Sequence, residues 1–252
     1  MAAAAPERQL KRIGNAGYDG VMCAQPALAP AQWKDLLAEY GLHYVAELKA
    51  SAATDMVVKL EEIHAYAPLL VNAHSGQDRM TFEEGCRFFD EVIRAEKTLG
   101  LIVAHETHRR RLLYAPWITA HYLKAFPDLR ITADFSHWCV VCESLLDELD
   151  DLVELACSRT IHIHGRVGYE QGPQVADPRA PELAAHLQRF EQWWDAIYRA
   201  RRECGAEWLG FDPEFGPPPY QHSLPYSDQP AADVWDICLW MANRQRQRWQ
   251  IG

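Results

Sequence analysis

Seven short apolar runs, each followed by a turn residue or charge cluster and separated by longer stretches of helical periodicity, constrain this chain more than any other feature. They read as strands at YDGVMCA (18–24), HYVAELK (43–49), LLVNAH (69–74), LIVAHE (101–106), RITADFS (130–136), TIHIHGR (160–166) and EWLGFDPEF (207–215). Between two of them, residues 81–100 carry a helix signature, with Thr81 as N-cap, Glu84 three positions on and Gly100 beyond the end. Another helix starts at Pro181 and stops at Gly205. Such alternation implies parallel strands joined by right-handed crossovers, in a closed barrel or an open doubly wound sheet.

No GxGxxG or GxxxxGK[ST] follows a strand, which weakens the nucleotide-binding open sheet. Instead Glu47, His74, Glu106, Asp134, His164 and Glu214 stand at or just beyond strand C-termini. A TIM barrel collects its catalytic groups from such ends on one face, and 252 residues is close to the ~250 of one such barrel. The expected fold is therefore an α/β barrel forming a single domain over 1–252. Because PERQLKRIGNAG reads as a helix with no strand before it, the first barrel strand is expected to be lacking or truncated, unless the chain starts late or one strand escapes the pattern.

A formal charge of −10 disfavours a surface that tracks a phosphate backbone, so nucleic acid is not an expected partner. No apolar window reaches the roughly 18 residues of a membrane span and no signal peptide is evident, so a cytoplasmic protein is expected. The seven cysteines suit reduced core thiols, including the isolated CxxC of Cys139 and Cys142.

HETHRRR (105–111) resembles the HExxH of metalloproteases, but its histidines are three apart rather than four. As a strand end, it places Glu106 and His108 on one face and His105 on the other. Arg109, Arg110 and Arg111 then form a solvated or ion-paired turn, or a site for a phosphate or carboxylate. Two glutamates, an aspartate and an imidazole would suit one divalent ion, Mn²⁺, Mg²⁺, Co²⁺ or Zn²⁺, and a cation would keep clustered carboxylates ionised.

DFSHW (134–138), IHIHGRVGYEQGPQV (161–175) and DPEFGPPPY (212–220), together with HET (105–107), resemble the sugar phosphate isomerase/epimerase family of xylose-isomerase-like TIM barrels, over about residues 7 to 249. The resemblance implies a metal held by Glu106, Asp134, His164 and Glu214, with His137 and Arg166 touching substrate oxygen. His162 shares the strand parity of His164, so either could be the ligand; His164, nearer the strand's C-terminal end, is preferred and His162 becomes a substrate contact. His74 is a further candidate substrate contact. Related ketose epimerases carry an extra glutamate near Leu112, and its absence here counts against 3-epimerisation of a free ketose.

The chemistry expected is proton transfer α to a carbonyl through an enediolate, with Glu106 and Glu214 as base and acid. The substrate is a small carbohydrate, and the protein an isomerase or epimerase acting as monomer or homo-oligomer. Two alternatives are a metal-dependent lyase that eliminates a β-substituent from a keto-sugar, and a non-catalytic partner subunit that binds metal or sugar. Trp117, Trp138 and Trp208 are candidate stacking surfaces; Trp193 and Trp194 read as helix core. The helix histidines His64, His121 and His186 are expected to be uninvolved.

Overall fold

The computed structural model describes residues 6–251. Residues 1–5, on which part of the N-terminal reading falls, lie outside them. The chain divides into two compact units, one from Met1–Gly76 and Met80–Ala104, the other from Gln77–Arg79 and His105–Gly252.

The first unit contains helix α1 (Pro6–Asn15), strand β1 (Gly20–Cys23), α2 (Pro30–Tyr40), β2 (His43–Ala50), α3 (Ala53–His64), β3 (Leu70–Ser75) and α4 (Phe82–Leu99). Its strands pair in parallel, with Gly20 opposite His43 and Val45 opposite Leu70. Alternation in β2 buries Tyr44, Ala46, Leu48 and Ala50 on one face. Met56, Leu60 and Ile63 of α3 and Phe88, Phe89 and Val92 of α4 are fully buried, each contributing roughly 1.5–3 kcal/mol of hydrophobic stabilisation. The capping box expected at Thr81 and Glu84 is present, and Gly100 takes the left-handed conformation that ends α4.

Strand β4 (Val103–Glu106) runs from the first unit into the second. The second unit continues with α5 (Pro116–Ala125), β5 (Ile131–Ala133), α6 (Phe135–Cys142), α7 (Asp150–Arg159), β6 (Thr160–His164), α8 (Ala184–Glu203), β7 (Gly210–Asp212) and α9 (Val234–Ile251). Its pairings are again parallel: Glu106 lies opposite Thr132, Thr132 opposite His162 and His164 opposite Asp212, with a register shift between Ile131 and Thr132. Trp193, Trp194, Phe190 and Ile197 form the buried face of α8, as core tryptophans should.

The strands expected at 18–24, 101–106 and 160–166 lose two or three residues each, and those at 130–136 and 207–215 are shortened most. RITADFS stops at Ala133 because Asp134 caps α6 through its side chain, which accepts the Ser136 amide proton and turns the chain into a helix. EWLGFDPEF keeps only Gly210–Asp212, and Trp208 lies outside the strand. Trp138 is no stacking surface: it is fully buried in α6, stacked on Phe135, with its indole N–H donated to the Leu113 carbonyl. Trp117 is exposed on α5.

The pair Cys139 and Cys142 lies within α6, and all seven cysteines are free thiols. Burial raises the pKa of both members of the pair, which opposes thiolate chemistry. Among the described residues no helix is long and apolar enough to cross a membrane.

Candidate functional site

Each candidate ligand of the second unit is delivered by the end of a strand. Glu106 closes β4 and is 1% exposed. Asp134 follows β5 directly, its backbone N–H donated to the Thr107 hydroxyl at 2.8 Å, and is fully buried. His164 closes β6, also buried. Glu214 follows β7 by two residues in the left-handed conformation, φ 55°, with its N–H donated to Asp212 Oδ1 at 3.0 Å.

These groups converge. His164 Nδ1 is 2.9 Å from Glu214 Oε2 and 3.6 Å from Glu106 Oε2. Arg166, 3% exposed, places Nη2 2.5 Å from Asp134 Oδ2 and 3.6 Å from Glu214 Oε2. The same Nη2 is 3.2 Å from His137 Nε2, and Arg166 Nε is 3.4 Å from the Ser136 hydroxyl. Tyr220 covers the guanidinium, its ring centroid 4.6 Å away. The His108 and His137 rings approach to 3.8 Å between centroids, tilted by 55°.

Charge follows from this packing. Burial would lower the His164 pKa, but the Glu214 and Glu106 carboxylates override it and lift it to about 10, so the ring is an imidazolium at neutral pH. Burial would raise the Asp134 carboxyl, but Arg166 outweighs it and holds it at about 2. Burial raises the Glu214 carboxyl against the attraction of His164 and Arg166. His137 and His162 are pushed down to about 3, chiefly by burial, and are neutral.

The donor set fits a divalent cation. Ligand atoms of Asp134, His164 and Glu214 lie within 4.8 Å of one another, and so do those of Glu106, Asp134 and His137. His164 Nε2 is buried with no hydrogen-bond partner. A carboxylate offers about four lone-pair directions. Asp134 Oδ1 takes the Ser136 N–H and hydroxyl, while Oδ2 takes Arg166 and lies 3.4 Å from His137 Nε2, so a metal would share Oδ2 with these neighbours.

His162 and His164 share a parity but differ in surroundings. A Cβ on Gly210 would fall 2.2 Å from His162 Nδ1, so the His162 ring fills the space that a glycine leaves on β7, whereas His164 faces the carboxylates. His74 and Glu47 belong to the first unit, where His74 Nε2 is 3.5 Å from Glu47 Oε1. The three arginines differ: Arg110 is exposed in a positive-φ turn, whereas Arg111 is buried, its pKa lowered by desolvation against the pull of Glu106.

Neither a family model nor a curated protein matches the sequence. Solved structures do match the fold. The chain is similar to D-psicose 3-epimerase solved in the presence of D-fructose, at 10% identity and a TM-score of 0.60 over 97% of this chain and 94% of that one. It is similar to the probable 3-DHS dehydratase AsbF from Bacillus anthracis at 14% identity and 0.59, over 96% and 94%. A xylose isomerase-like TIM barrel protein from Mycobacterium smegmatis in complex with magnesium matches at 11% and 0.51, over 77% and 88%. This chain has the xylose-isomerase-like TIM-barrel fold.

Within that fold, several contributors to the site carry no motif of their own. Thr107 fixes the Asp134 backbone, Ser136 saturates one Asp134 oxygen, and Tyr220 covers Arg166. HET, DFSHW and GPPPY contain these residues, but the parts played by Thr107 and Tyr220 show only in contacts across 27 and 54 positions, whereas Ser136 acts two residues from Asp134.

Proposed function

We propose that this barrel is a divalent-metal-dependent isomerase or epimerase of a small carbohydrate, working by proton transfer α to a carbonyl. The observation that carries the reading is the convergence of three carboxylates, Glu106, Asp134 and Glu214, on one imidazole and one guanidinium. Glu106, Asp134, His164 and Glu214 would hold the metal. A bound divalent cation would lower the pKa of the proton α to a chelating carbonyl and stabilise the resulting enediolate.

The remaining steps belong to side chains. Glu214, whose carboxyl pKa burial raises, and Glu106 remove and return the proton. Arg166 and, as its neutral tautomer allows, His137 donate hydrogen bonds to the developing oxyanion, each on the order of 2–4 kcal/mol. His162, whose ring lies against Gly210, and His74, at a strand end of the first unit, are the remaining candidate sugar contacts. The likeness over nearly the whole chain supports reading 1–252 as one domain.

A second reading is favoured by the fold shared with a probable dehydratase: the same α-proton removal followed by loss of a β-substituent. One experiment separates them. The metal-reconstituted protein is incubated in deuterated water with ketoses, aldoses, keto acids and 3-keto glycosides and followed by NMR. Metal-dependent deuterium entry α to a carbonyl with substrate mass otherwise conserved is expected; splitting of the substrate means the lyase. No exchange across the panel overturns both and favours a non-catalytic binder.

A further inference from the structure

Glu214 occupies a left-handed backbone conformation, φ 55°, that a non-glycine residue keeps only when its surroundings over-determine it. On its N-terminal side the Asp212 side chain accepts the Glu214 N–H. Two residues beyond, Gly216 is held by a side chain from far away in sequence. The Gly216 N–H donates to Gln174 Oε1 at 2.9 Å, and Gln174 Nε2 donates to the Gly216 carbonyl at 3.0 Å. One primary amide thus matches both backbone groups of a single residue, as a neighbouring strand would.

Gln174 is itself fixed. It is 1% exposed, and its Nε2 also lies 3.4 Å from Gln221 Oε1. Gln221 donates to the carbonyls of Ala176 at 2.9 Å and Ala232 at 3.1 Å. Its bonds thus tie the chain beside Gln174 to the segment before α9.

We propose that Gln174 is the positioning residue for Glu214, acting through Gly216. The inference rests on the reading of Glu214 as a metal ligand and proton carrier. Gln174 clamps the far side of the Glu214 turn, Asp212 the near side, and between them the carboxylate is aimed at His164. Gln221 supports the same loops without bonding the Glu214 turn, and its contact with Gln174, at 3.4 Å, is longer than the two Gln174–Gly216 bonds, so its loss leaves both of those bonds in place and makes it the comparison variant.

The test compares Gln174→Leu and Gln221→Leu, both near-isosteric losses of a buried amide, in the whole protein. Three quantities are measured: Mn²⁺ affinity by calorimetry, Gly216 amide exchange by NMR, and thermal unfolding. Gln174→Leu is expected to weaken Mn²⁺ binding roughly 10- to 100-fold, as loss of a partner behind a ligand does, and to speed Gly216 exchange. Gln221→Leu, with a similar loss of thermal stability, is expected to leave both near wild type.

Unchanged Gly216 exchange and Mn²⁺ affinity in Gln174→Leu overturn the proposal. So do equal losses in the two variants, which mark a purely structural role. If the wild-type protein binds no Mn²⁺, the functional reading fails instead. Gly216 exchange then decides the clamp by itself: faster in Gln174→Leu alone upholds it, and equal rates in both variants reject it.

Discussion

Glu214→Gln is expected to lower kcat/KM for α-proton exchange by roughly 10²–10⁴-fold while the fold survives. Glutamine keeps the shape and an acceptor oxygen but carries neither the charge nor the mobile proton. Glu106→Gln is expected to do the same. Both substitutions remove one of three crowded carboxylates, so repulsion among them falls and global stability changes little. Each also takes from His164 one of the two carboxylates that lift its pKa to about 10, so the imidazole titrates lower in either variant. Circular dichroism and denaturant unfolding check the fold, and exchange kinetics on the substrate found in the panel check the chemistry. Near-wild-type exchange in either variant removes that glutamate from the acid/base pair.

The largest stability effect is expected at Asp134. Its carboxylate is fully buried against the Arg166 guanidinium, 2.5 Å away, and Asp134→Asn leaves a buried cation without its main counter-charge. Breaking a buried pair from one side costs about 3–5 kcal/mol, and Glu214, 3.6 Å from the same guanidinium, brings the expected loss toward the lower figure. Removing both charges with Asp134→Asn and Arg166→Met together is expected to recover much of it, since a buried pair replaced by uncharged groups can be nearly neutral.

The pH dependence has a definite sign. The folded pKa of Asp134, about 2, lies below the unfolded value of about 3.9. Its contribution is therefore full above pH ~3.9 and is lost as pH falls through about 2, so the gap between wild type and Asp134→Asn should narrow only in strong acid. Urea unfolding at neutral and acidic pH measures this. Equal stability at neutral pH would show that the ion pair contributes nothing.

Much of this architecture was legible because strand, helix and cap each have local causes. The apolar runs 43–49 and 69–74 reappear as β2 and β3 within a residue at each end, and Thr81 with Glu84 builds the expected box. What failed locally was a competition. The apolar run 130–136 continues past Asp134, yet the aspartate cap converts its second half to helix.

The site divides in the same way. Strand ends marked Glu106, Asp134, His164 and Glu214, but period-2 alternation gives His162 and His164 one parity and does not carry the difference in their surroundings, with His162 against Gly210 and His164 facing the carboxylates. Nor could HETHRRR show that Arg111 would be buried while Arg110 stayed exposed, because burial depends on how the turn at 109–112 packs. Gln174 and Tyr220 act only across 42 and 54 positions, a separation at which sequence pattern carries no distance.

Whether these four residues form a divalent-metal site is tested most directly by titrating metal-free protein with Mn²⁺ at neutral pH in buffers of different ionisation enthalpy. His164 is protonated up to about pH 10 and must lose its proton to become a ligand. The expected result is one Mn²⁺ per chain with release of about one proton, weakened in Glu214→Gln and Asp134→Asn. Absence of binding, or binding without proton release that both variants retain, would contradict the assignment of Glu106, Asp134, His164 and Glu214 as the metal centre.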